Sequence, residues 1–186
     1  MILQEKDYIK RQKKKYSIHA CIWTIIVFIL FGIGVLLTGT RSNLFTISAC
    51  LMAIVAALFI TRLISFNRFK DGNEELVRYL EGMKGDYHLF HSGIVLDAKG
   101  TSYFEHIVVT SRNIYFISYD EQVVKKNRLR IEENMVSKGL SSKHIHLLVV
   151  SNEKQMKNIV HRIEKDAVYL DGKLEEYSKI ISETLM

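Results

Sequence analysis

Five histidines fall on stretches that read as β-strands: His88, His91, His106, His144 and His146. Imidazole is both a metal ligand and a general base near neutral pH. His144 and His146 are two apart, so a strand puts them on one face. A zinc site needs three or four converging ligands, commonly including cysteine. The only cysteines, Cys21 and Cys50, lie in apolar runs remote from the histidines. The histidines therefore read as ordinary strand residues, and no metal or other cofactor is expected. Ser92 precedes Gly93, but no Gly-x-Ser-x-Gly frame surrounds it, so it is not a nucleophile elbow. No glycine-rich phosphate loop occurs. The segment 71–186 is also smaller than a nucleotide-dependent kinase or glycosyltransferase ordinarily requires.

The elements that must position these residues begin with two apolar runs. Residues 17–38, SIHACIWTIIVFILFGIGVLLT, carry no Lys, Arg, Asp or Glu. As a helix this run spans about 33 Å, against a hydrocarbon core of about 30 Å. A short link, residues 39–43, leads to a second run over 44–61, which stays apolar past Arg62 to residue 66. Backbone groups inside a bilayer find no water, so both runs must be helical. The expectation is an α-helical transmembrane hairpin over 17–66. A cleaved secretory signal would have a shorter apolar core of about 7–15 residues and a small-residue cleavage site. Cys21 and Cys50 fall at different depths, too far apart for a bridge. In the second run Ala49, Ala53 and Ala57 repeat every four residues, a small-residue stripe suited to packing on Gly32 and Gly34 of the first.

The formal charge of +6 is unevenly distributed. Residues 1–70 hold ten Lys/Arg against two Asp/Glu, and residues 71–186 hold sixteen against eighteen. The basicity belongs to the membrane flanks, so a phosphate-backbone partner is not favoured and nucleic acid is set aside. Lys10, Arg11, Lys13, Lys14 and Lys15 precede the first run, whereas Arg62, Arg68 and Lys70 lie at the end of the second and beyond it. The link carries only Arg41. The positive-inside rule then puts both termini in the cytosol of a cell membrane crossed twice. The tail 1–16 is a polar basic arm drawn to anionic lipid headgroups by about 1 kcal/mol per basic residue.

Residues 71–186 read as one cytosolic α/β (α+β) domain with a four-stranded mixed sheet in the order αβββαβα. Asp71 or Asn73 caps a first helix through EELVRYLEGM. Three strands follow over 87–96, 102–110 and 114–119, joined by turns at Ala98-Lys99-Gly100 and Ser111-Arg112-Asn113. A helix over 121–138 buries Val124, Ile131 and Met135 and stops at Gly139. Its Lys125, Lys126, Arg128 and Arg130 read as a solvated face. Residues 144–150 are apolar enough for a central strand. From Asn152 onward, Met156, Val160, Ile163, Ala167, Leu170, Leu174, Tyr177 and Ile181 step by four and three, a heptad seam running through Asp171-Gly172. Such a seam lies on the sheet as one helix or two in series, or else pairs with a second copy.

The segment FEHIVVTSRNIYFISYD, with the order helix, three strands, helix, strand, resembles the core of the restriction-endonuclease-like fold. Within that fold it is similar to the NERD and Mrr-type nuclease-related domains, over residues 71–150. There an acidic residue opens a strand and the next strand ends in Glu-x-Lys. The resemblance implies Glu105 as the acidic opening and Glu74 or Glu75 as the acidic residue of the first helix. It aligns Ser118 with the second carboxylate and Asp120 with the lysine. A hydroxyl replaces an anionic ligand and an acid replaces a base, which implies lost catalysis. The chain as a whole is similar to small two-span bacterial membrane proteins. The expectation is a membrane-anchored cytosolic binding or scaffolding domain without catalytic activity, self-associating if the seam pairs. The alternative is a tethered metal-dependent nuclease using Glu75, Glu105 and Asp120 in a migrated arrangement.

Overall fold

The structure is a computed structural model that describes residues 1–97, 100–169 and 173–185. It divides into two compact units. One comprises Met1–Tyr8 with Asp71–Met186, and the other Ile9–Lys70.

The second unit contains two long helices. The first, α1, runs from Tyr8 to Thr38, and the second, α2, from Leu44 to Asn67. Both are long and apolar enough to cross a membrane, and only 11% of either apolar window is buried. The basic residues expected in a separate arm belong instead to the first turns of α1. Lys, Arg and Gln are good helix formers and nothing between Tyr8 and Ser17 breaks the helix. At 31 residues α1 is about 46 Å long, which exceeds a hydrocarbon core by several turns. Asn43 caps α2 by accepting from the Thr46 amide. The expected stripe of Ala49, Ala53 and Ala57 is not what is buried. Ala49 and Ala56, one heptad apart, are buried, and Ala53 and Ala57 are exposed. Gly34 is the close-approach glycine, because a Cβ there would lie 2.7 Å from Asn43 Oδ1 and from Phe45 Cβ. Gly32 faces open space. At the other end Tyr16 stacks near Phe66, with ring centroids 5.4 Å apart, and Arg62 lies 5.9 Å over the Tyr16 ring. Both cysteines are free thiols.

The first unit is α+β, and its sheet has five strands rather than four. The additional strand, β1, is Ile2–Gln4, drawn from the tail expected to be a free arm. It pairs in parallel with β2, Tyr87–Asp97, and Met1 O accepts from the Leu89 amide at 3.0 Å. β3 is Gly100–Thr110 and β4 is Ile114–Ser118, both antiparallel to their predecessors. β5, Ile145–Val149, runs parallel to β4. The spatial order is β1-β2-β3-β4-β5, so β5 is an edge strand and not the central one expected from its apolar run. Of the turn expected at Ala98-Lys99-Gly100, the first two residues lie outside the described residues. Gly100 has φ +136°.

Each face of the sheet carries its own layer. α3, Glu74–Glu81, is capped by Asn73, and α5, Glu153–Ala167, by Asn152. Leu76, Leu80, Met156, Val160, Ile163 and Ala167 from these helices pack on Leu89, Val108, Tyr115 and Ile117. On the opposite face, α4, Glu121–Ser137, and α6, Leu174–Ser182, contribute Ile131, Met135, Tyr177 and Ile181. These meet Phe90, Ile107, Val109, Ile114 and Phe116. The heptad seam is therefore two helices on two faces, and its described apolar residues are taken up within the chain. Leu170, Asp171 and Gly172 of the seam lie outside the described residues. Lys125 and Arg128 pair at i,i+4 with Glu121 and Glu132 on the solvated side of α4.

Removing residues 1–7 uncovers the edge of β2. Amide exchange at Leu89 and its neighbours should then rise about tenfold or more relative to the intact chain. Unchanged protection would mean that β1 adds no hydrogen-bonding partner to the sheet.

Candidate functional site

The β2–β3 ladder is interrupted by polar residues where apolar ones would normally continue. Ser92 has φ +57°, a left-handed conformation that costs a non-glycine residue about 1–3 kcal/mol. Side-chain alternation slips at this point. Phe90 and Val95, five apart, share a face, and so do Phe104 and Ile107 on β3. The residues at the crimp are His91, Ser92, Glu105 and His106, with His91 directly opposite His106. Ser92 Oγ donates to Asp71 Oδ1 at 3.0 Å, and the Tyr103 hydroxyl is hydrogen-bonded to Ser92. Burial raises the Tyr103 phenol above its usual range.

His91 and His106 form a buried pair, Nδ1 to Nδ1 at 2.8 Å, with rings edge to face. His91 Nε2 lies 3.5 Å from Glu81 Oε1, at the outer limit of a hydrogen bond. That carboxylate favours a proton on His91 Nε2. Neutral His91 then accepts at Nδ1 from His106 Nδ1–H, which leaves His106 Nε2 as a bare acceptor. Neither Nε2 has a hydrogen-bond partner. His106 Nε2 sits beneath Gly72, where a Cβ would approach it to 2.6 Å. The series Glu81, His91, His106 thus ends in a proton-accepting nitrogen sealed by the loop before α3.

The candidates from the nuclease resemblance take up local roles. Glu105, half-buried, accepts from the Tyr119 amide at 3.3 Å and from the Ser118 hydroxyl. Desolvation raises its pKa above the ordinary carboxylate value, with the nearby Asp120 adding to the effect. Asp120 is the N-cap of α4 and accepts from the amides of Gln122 at 2.8 Å and Val123 at 3.3 Å. Glu75 is exposed in the first turn of α3. Burial and the Glu105 charge push the Tyr119 phenol up to about 12.

The remaining histidines are dispersed. His88 bonds to Ser178 Oγ at 2.7 Å, and His146 stacks on Tyr115 with centroids 5.2 Å apart. His144 is not on the strand with His146. It ends a 3-10 turn, Ser142–His144, because the chain reaches β5 only at Ile145. Among the described residues no group of three or more His, Cys, Asp or Glu is placed to hold a metal ion.

No family model, curated protein or solved structure matches the chain. Tyr103 was not singled out from the sequence, Ser92 was weighed only as a nucleophile elbow, and Asp71 only as a helix cap, the place that Asn73 takes. The cross-strand register that sets Asp97 opposite Gly100 also sets His91 opposite His106, and counting back along it would have found that pair.

Burial holds both histidines below their ordinary 6.5, His106 as far as about 3, with Lys6 adding to the depression of His91 and Glu81 opposing it. In the unfolded chain both protonate near 6.5. The unfolded state therefore binds more protons between these values, and stability falls as pH drops below about 6.5. The melting temperature of the full chain in detergent should decline as pH falls from about 6.5 to 4.5. A His91→Leu/His106→Leu variant should lose much of that slope. An identical slope in the variant would show that the pair is not its source.

Proposed function

We propose that this chain is a membrane-anchored binding or scaffolding domain without catalytic activity. In this reading a helical hairpin crosses the inner (plasma) membrane, both ends are cytosolic, and the basic first turns of α1 meet anionic headgroups. The observation that carries the absence of catalysis is the local use of the two carboxylates. A ligand for a hard cation must be ionised and have lone pairs to spare. Glu105 is partly desolvated, its pKa is raised, and it accepts from Ser118 and Tyr119. Asp120 satisfies the first amides of α4, a role worth about 1 kcal/mol to the helix.

The membrane part of the reading draws on exposure and on connectivity. Phe28, Leu36, Leu44 and Leu51 are 70%, 86%, 76% and 60% exposed, a density of bare apolar side chains that a water-facing helix pair does not sustain. β1 and β2 are hydrogen-bonded in one folded unit, yet the two apolar helices separate them in sequence. Residues 2–4 and 87–90 must then lie on one side of any membrane, which requires an even number of crossings. Two helices meet that condition. The positive flanks favour the cytosolic side.

The test uses the full chain purified in detergent. With Mg²⁺ or Mn²⁺ it should leave plasmid DNA intact, and reporters fused at either end should both read cytosolic in cells. DNA cleavage that disappears in Glu105→Ala would replace this reading with a tethered nuclease using Glu75, Glu105 and Asp120. A reporter on the far side would remove the two-crossing topology.

A further inference from the structure

A second polar feature lies away from the crimp, on the side of the domain where the β3–β4 turn meets the start of α6. A cavity of about 200 Å³ is lined by Ser111, Arg112, Asn113, His144, Lys173 and Tyr177. Among the described residues its lining contains two basic side chains, an imidazole, a phenol, a hydroxyl and an amide, and no carboxylate. Among the described residues no acid pairs with Arg112 or Lys173, and Glu175 interacts instead with His88, at 3.6 Å. Drug-sized sites run to roughly 300–1,000 Å³, so this one suits a compact polar group.

The turn that presents Arg112 is braced on both sides. Thr110 Oγ1 donates to Asn113 O at 2.9 Å, and the Asn113 amide returns a bond to Thr110 Oγ1 at 3.0 Å. Asn113 Nδ2 donates to Asp166 Oδ2 at 2.6 Å, and the Tyr115 hydroxyl donates to the same oxygen. Ser111 Oγ donates to Tyr169 O, and the Arg112 guanidinium lies 3.5 Å over the Tyr169 ring. A guanidinium stacked on an aromatic face keeps its in-plane donors directed outward. Asp166 thus braces the turn with its carboxylate already engaged, and among the described residues neither cation has an acidic partner. Two fixed positive charges with several neutral donors complement a tetrahedral dianion, for which arginine supplies paired donors and lysine a point charge.

We propose that this cavity binds a phosphate monoester group, with Arg112 and Lys173 as charge partners and His144 and Tyr177 as hydrogen-bond donors. The group comes either from a soluble phosphorylated molecule or from a lipid headgroup. The site is independent of the Glu105 crimp and of the nuclease question.

The experiment uses the full chain in phosphatidylcholine nanodiscs and reads amide exchange over residues 111–113 and 173–177. One arm titrates inorganic phosphate up to about 10 mM, and the other replaces part of the lipid with phosphatidic acid. The expected result is saturable protection of both segments in at least one arm, weakened about tenfold or more in Arg112→Gln and in Lys173→Gln. Both side chains are exposed, so these variants retain the fold. Protection by inorganic phosphate assigns a soluble ligand. Protection by phosphatidic acid alone assigns a lipid headgroup. No protection in either arm, or protection that persists in the Arg112→Gln/Lys173→Gln variant, overturns the proposal.

Discussion

Every residue of β4, from Ile114 to Ser118, is buried. A strand buried on both faces must be covered on both faces, and the arrangement of the first unit follows from that requirement. Tyr115 and Ile117 need one layer, supplied by α3 and α5, and Ile114 and Phe116 need another, supplied by α4 and α6. A single C-terminal helix carrying the whole heptad seam covers only one face. The seam is divided after Ala167, and its second half serves the opposite side. Burying a Leu, Ile or Phe contributes about 1.5–3 kcal/mol, so leaving either face open would cost much of the stability of a domain this size.

The parts of this fold legible in the sequence are those set by local periodicity and local caps. The three-strand meander, the αL stop at Gly139 and the caps at Asn73 and Asn152 each depend on residues within a few positions. What escaped depends on distant partners. Ile2–Gln4 is three residues long with no alternation, and only the unpaired edge of β2, more than eighty residues away, makes it a strand. β5 has the composition of a central strand, but its position is decided by how many strands lie beyond it. The burial of Ala56 in place of Ala53 and Ala57 reflects a seven-residue rather than four-residue contact period between the long helices, which composition cannot choose.

The candidate site shows the same division. Asp120 immediately precedes a helical run, so a capping role was as legible as its alignment with a catalytic lysine. The geometry has it capping. Ser92 was unreadable, because nothing in His-Ser-Gly announces that the serine and not the glycine takes the left-handed conformation. The adjacent Gly93 has a separate task. A Cβ there would come within 2.4 Å of Ile107 Cδ1, so the glycine lets the face-switched Ile107 pack against the strand.

That division of labour explains why polar residues are tolerated at the centre of an apolar ladder. Once the left-handed Ser92 shifts the side-chain alternation of β2, the side chains next to it no longer fall in register with either apolar layer. Apolar residues there would leave gaps, and unpartnered polar ones would cost about 1–3 kcal/mol each. The chain instead places polar groups that bond to one another, although the Nε2 atoms of His91 and His106 stay without a hydrogen-bond partner. Ser92 bonds to Asp71, and His91 bonds to His106. Glu105 reaches Ser118 and the Tyr119 amide. The two histidines stay neutral because protonation of either would bury a charge against an imidazole that cannot move away. The crimp, the neutral imidazoles and the engaged Glu105 are therefore consequences of one left-handed residue in β2. A metal-binding carboxylate cannot be restored at this position without also changing the residues that accommodate it.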